Sequence, residues 1–129
     1  MMEERHFKGK ISWPKGSRIA VVLSFDFQGG EGVRMVPEGN VYFEDYAQAE
    51  YGPKTGIWRL LRVLEKQGVV GNFLICGGIV DRYPEAVRAV ITKGHEVAGH
   101  GYHHEVARNL SREEERQVIE RTTERIRSF

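Results

Sequence analysis

The sequence predicts an α/β fold made of parallel βα units, and three observations carry the prediction. Short β-branched runs recur at Arg18–Phe25, Val69–Cys76 and His95–His100. The segments between or after them repeat apolar residues at helical spacing. Each crossover is long enough to contain a helix, as parallel strands require.

The first run, RIAVVLSF, is continuous rather than alternating, the pattern of a strand buried on both faces, and Asp26 is expected to end it. Three glycines follow within the next six positions (Gly29, Gly30, Gly32), which keeps the loop low and leaves the carboxylate reachable. The segment from Gly29 to Gly52 reads as one long irregular connection, and such connections in compact domains are usually functional or mobile. Its aromatics Tyr42, Phe43, Tyr46 and Tyr51 either line a pocket or, more commonly, pack the loop down.

A helix then carries Ile57, Leu60, Leu61 and Leu64 on one face and stops at Gly68, a residue suited to a left-handed cap. VVGNFLIC is the second strand. A helix starting near Pro84 presents Tyr83, Val87, Val90 and Ile91 inward and stops at Gly94. HEVAGH is the third strand. Ser111 with Glu114 forms a capping box, after which Val118, Ile119, Thr122 and Ile126 make the inner stripe of a last helix.

Composition fits one soluble globular domain: 129 residues, 40% apolar, 29% charged. A net charge of +1 with interspersed signs favours neither nucleic acid nor an anionic membrane as partner and leaves small ligands. Cys76 is the single cysteine, which excludes an intrachain disulfide and a Cys-based zinc cluster. The opening MMEERHFKGK lacks the apolar core of a signal peptide or span, so a cytoplasmic protein is expected.

In parallel α/β folds the loops leaving the carboxyl ends of the strands build the active site. Asp26 and His100 should share that rim. Within HGYHHE, His100 and His104 are four apart and His100 and His103 three apart, and either spacing brings two imidazoles onto one divalent metal. His6 and His95 lack a paired spacing and read as structural. Asp26 precedes no expected helix, which favours a catalytic or metal-binding role over capping. GGEG might cradle a phosphate only if a helix opened directly from it, which the acidic, aromatic stretch beyond Gly32 does not predict.

VVLSFDFQGGEG together with GHEVAGHGYHHE resembles the polysaccharide deacetylase family, the NodB-homology or carbohydrate esterase family four fold, over nearly all of Arg18–Phe129. The resemblance implies a distorted (β/α) barrel that hydrolyses amide bonds of N-acyl amino sugars. It implies Asp26 as general base and His100 and His104 as the site of a divalent metal, zinc first. The family's second acid falls here on Phe27, or, in members that space the acids by one residue, on Gln28. Glu31 is the nearby acid that could replace it, unless Asp26 itself turns to the metal, and His103 is a further pocket candidate. Without a carboxylate ligand the metal is expected to bind weakly, leaving the site partly occupied or empty. Tyr51–Val69 is most similar to the branch of allantoinases and cyclic imide hydrolases, so the substrate is either an N-acyl sugar or a small cyclic amide.

A closed barrel takes roughly 250 residues, so the chain corresponds to about half of one and reads as a single, truncated domain. The competing expectation is a non-catalytic half-domain that forms a homo-oligomer or pairs with a complementary fragment through its open sheet edges.

Overall fold

The computed structural model describes residues 12–34 and 43–129. Strand β1 (Ser24–Phe27) leads into a short helix α1 (Glu31–Arg34). Helix α2 (Phe43–Tyr51) continues through a π-helical stretch, Gly52–Gly56, into α3 (Ile57–Gln67). Strand β2 (Asn72–Ile75) is followed by α4 (Gly77–Arg82) and α5 (Pro84–Thr92), then β3 (Glu96–Gly99) and α6 (Arg112–Arg127). The sheet is wholly parallel, in the order β1-β2-β3.

Local chemistry sets several element ends as expected. Gly68 adopts a left-handed conformation (φ 62°) and its N–H donates to the carbonyls of Glu65 and Leu64, closing α3. Ser111 accepts from the Glu114 N–H while the Glu114 carboxylate accepts from Ser111, so both halves of the capping box form at the start of α6.

Side chains alternate across the sheet, and register aligns them in rows. Phe25, Phe73 and Val97 form one row, and Phe27, Ile75 and Gly99 the next. These rows face the helices: Phe73 and Ile75 are wholly buried against Ile57, Leu61, Leu64, Val87 and Val90. The intervening rows, Ser24–Asn72–Glu96 and Asp26–Leu74–Ala98, occupy the opposite face. Burying each large aliphatic or aromatic side chain contributes about 1.5–3 kcal/mol, so the helix side of the sheet carries the stability and the other face is free to carry chemistry.

The structure corrects four expectations. Only Ser24–Phe27 of the first run is strand, and Ile19, Val21 and Val22 are 72%, 73% and 75% exposed rather than buried. The reason is the ladder: Asn72 opens β2 by donating to Leu23 O at 2.8 Å, and the chain before Asn72 is the Gly68 turn, which offers residues 18–22 no partner. Asp26 therefore lies inside the strand, not beyond it. The stretch after Gly29 is not wholly irregular, since α1 opens from the glycine loop and α2 follows; Tyr42, like His6, lies outside the described residues. The helix expected from Pro84 forms as α5, but it is preceded by a short helix, α4, that was not expected. On α6 Thr122 is buried (3% exposed) and Val118 and Ile126 are half-buried as expected, but Ile119 is 58% exposed. Thr122 packs on Gly99, where an added Cβ would lie 3.2 Å from its Cγ2, so the sheet approaches too closely there for a larger side chain.

Candidate active site

The open face of the sheet and the loops above its carboxyl ends bring the predicted residues to one side. Asp26 is exposed, on the face away from the helices. His100 directly follows β3, and its N–H donates to Ile75 O at 2.9 Å, so the ladder runs one residue beyond the strand and His100 shares the alternation of Ala98 and Asp26. Two inter-strand steps, about 10 Å, separate the backbones of β1 and β3. Phe27 is 5% exposed, in the core, so the side chain at the position of the family's adjacent acid turns away from this face.

The histidine loop is built by backbone contacts that its sequence did not advertise. The Glu105 carboxylate accepts the Tyr102 N–H at 2.8 Å and the His103 N–H at 3.0 Å. The first N–H groups of α4 reach back into the same loop: Gly77 donates to Gly101 O at 3.0 Å and Gly78 to Tyr102 O at 2.8 Å. The Cys76 thiol donates to His100 O at 3.1 Å. The thiol is buried, and burial, with the Glu31, Glu105 and Asp26 carboxylates adding to it, pushes its pKa up to about 12, so Cys76 is a neutral donor and not a nucleophile. Held this way, His104 adopts φ 60°, a left-handed conformation that costs a β-carbon residue about 1–2 kcal/mol.

The bend sets the His100 and His104 rings 4.8 Å apart between centroids. His100 Nε2 is buried and has no hydrogen-bond partner. A buried, unpartnered ring nitrogen beside a second imidazole is the donor arrangement a divalent cation takes up. Among the described residues no group of three or more His, Cys, Asp and Glu side chains is gathered closely enough to hold a metal. Gln28 is a neighbour of His104, since both approach the space over the Gly32 Cα.

Glu31 and His103 meet each other. Glu31 is wholly buried; one carboxylate oxygen accepts from Arg82 at 2.5 Å and the other from His103 Nδ1 at 2.6 Å. Arg82 also donates to Glu50 at 3.0 Å and to the Tyr46 hydroxyl at 2.9 Å, and the Tyr83 hydroxyl donates to the second Glu50 oxygen. Burial and then the Glu50 contact push Tyr83 up to about 12, so it stays a donor. Glu31 fits only because residue 78 is glycine: a Cβ there would sit 2.6 Å from the carboxyl carbon. His95, expected to be a capped or surface residue, is instead buried: it accepts from the Gly71 N–H at 3.3 Å and packs on Phe73 with centroids 5.3 Å apart.

Sequence reasoning missed Gly77, Gly78, Arg82 and Glu105. A glycine pair directly after a strand was an available signal for close approach. The pairing of Arg82 with Glu31, 51 residues away, left no sequence signal.

Comparison with known proteins agrees with this architecture. Residues 45–129 match the family model for polysaccharide deacetylase. A solved structure from Mycobacterium smegmatis, assigned as a polysaccharide deacetylase, superimposes with a TM-score of 0.82 at 32% identity over 92% of this chain and 42% of its own. An allantoinase structure shares the fold, with a TM-score of 0.73 at 24% identity over 88% of this chain and 45% of its own. A curated peptidoglycan deacetylase-like protein of Gibberella zeae is 24% identical over 81% of this chain and 32% of its own length. The chain thus spans less than half the length of each of these three proteins. With the family model covering most of its length and the parallel βα units superimposing on a member's structure, the chain belongs to the polysaccharide deacetylase family.

Proposed function

We propose that the open face of this sheet is the site of an amide hydrolase, with Asp26 as general base and His100 and His104 as the holders of a divalent cation. The observation that supports it best is the buried, unpartnered His100 Nε2 beside the His104 ring, on the face that also presents Asp26. Asp26 takes a proton from water, whose oxygen bonds to the amide carbon; the C–N bond then breaks as that proton passes to the leaving nitrogen, giving an acid and an amine and restoring the carboxylate. A divalent cation bound by the imidazole pair would supply polarisation of the carbonyl and charge stabilisation of the oxyanion. The substrate is an N-acyl amino sugar or a small cyclic amide, a reading supported by similarity to a structure described as a polysaccharide deacetylase and to an allantoinase.

One observation favours a second reading. Ile19, Val21 and Val22 are exposed along the approach to the edge strand β1, and an unpaired apolar run beside an open strand edge is a pairing surface. On that reading the chain is a half-domain that binds a second copy or a complementary fragment. Among the described residues no helix is long and apolar enough to cross a membrane.

Incubating the purified chain with an N-acetylglucosamine oligomer and, separately, with hydantoin, in the presence of zinc, separates the readings. Release of acetate from the first or ring opening of the second supports the hydrolase. Turnover of neither, with a dimer in light scattering, supports the half-domain.

A further inference from the structure

His103 has one ring nitrogen committed and the other free. Its Nδ1 is 2.6 Å from a wholly buried Glu31 oxygen, its backbone N–H is held by Glu105, and its ring meets Tyr102 edge-on with centroids 4.7 Å apart. A carboxylate only accepts hydrogen bonds, so Nδ1 must carry the hydrogen. In the neutral ring Nε2 is then the acceptor. The side chain is 42% exposed, beside the His100–His104 pair in the same loop. Arg82 pairs with the other oxygen of Glu31 at 2.5 Å, so His103 is not the only partner of that carboxylate. The imidazole is thus held at Nδ1 and along its ring edge on a half-exposed side chain.

We propose that His103 is a substrate-contacting residue whose Nε2 accepts a hydrogen bond from a donor next to the scissile amide, with Glu31 as the positioning residue that fixes the ring's tautomer. This rests on the amide-hydrolase reading of the same face. The donor is a sugar hydroxyl if the substrate is an N-acyl amino sugar, or a ring N–H if it is a cyclic amide.

The test is a long-range proton–nitrogen NMR spectrum of the histidine rings, recorded while the N-acetylglucosamine oligomer or hydantoin is added. The expected result is a His103 ring protonated at Nδ1 whose Nε2 resonance moves with one probe, identifying the donor. In His103→Ala, affinity for that probe should fall about tenfold, the effect of one lost hydrogen bond with an unpaired partner. Zinc binding at His100 and His104 should be unchanged. In Glu31→Gln, which keeps an acceptor for Nδ1, the loss should be smaller than in His103→Ala. A ring protonated at Nε2, a resonance that moves with neither probe, or undiminished affinity in His103→Ala would each overturn the proposal. Failure of the hydrolase reading shows separately, as absence of turnover and of zinc binding.

Discussion

Replacing Asp26 with Asn is expected to lower amide hydrolysis by about 10²–10⁴-fold, the usual worth of a positioned general base. The substitution removes basicity at nearly constant volume. Asp26 is exposed on the open face and makes no ion pair among the described residues, so the thermal midpoint should stay where it is. Initial rates on the better of the two substrates, measured beside calorimetric unfolding, check both halves. Loss of rate together with a large fall in midpoint would instead make Asp26 structural.

The second large effect is expected at Arg82. Its guanidinium bridges Glu31 and Glu50, which come from different elements and are nearly inaccessible, 0% and 6% exposed. Arg82→Met keeps the stem but removes the guanidinium, leaving Glu50 with the exposed Lys54 at 3.5 Å as its cation and Glu31 with His103, and breaking a buried pair this way costs about 3–5 kcal/mol. Arg82 is partly exposed, so the lower end applies, roughly a 10 °C fall in midpoint for a domain of this size. The loss also has a pH signature. Burial raises the Glu50 carboxyl, but hydrogen bonds from Tyr83 and Arg82 outweigh it and hold the group below the ordinary carboxylate value. A depressed carboxylate contributes stability above its unfolded pKa and loses it as pH falls through the folded one. The midpoint difference between the wild type and Arg82→Met should therefore shrink as the solution is acidified below the ordinary carboxylate range. Arg82→Lys should recover little, since an ammonium cannot reproduce the fork that spans two carboxylates.

What was legible in the sequence was mostly local. The Gly68 cap, the Ser111 box and the Ile57–Leu61–Leu64 stripe each depend on residues within a turn or two, and each formed as read. The paired histidines were legible because their partners lie four residues apart. What was not legible depends on neighbours far along the chain. Nothing in RIAVVLSF states that β2 begins only at Asn72, and so the run looked like buried strand although most of it is exposed. Thr122 beats Ile119 for the inner face of α6 because Gly99 brings the sheet close, a fact of packing rather than periodicity. Glu31 seemed a spare acid on a flexible loop. Its commitment follows from Gly78 and Arg82, whose side-chain space only the fold defines.

His100 and His104 are proposed to form one donor pair serving the face that presents Asp26. Equilibrium dialysis against zinc tests it most directly, with the wild type, His100→Ala, His104→Ala and Glu31→Gln compared at the same protein concentration. The wild type should take up one zinc per chain, weakly enough to lose it on extended dialysis because no carboxylate completes the set. Each alanine variant should lose affinity by roughly 100-fold, and Glu31→Gln should bind as the wild type does, since Glu31 is already spent on Arg82 and His103. Zinc uptake that survives His100→Ala, or that disappears in Glu31→Gln while the protein remains folded, would contradict the claim.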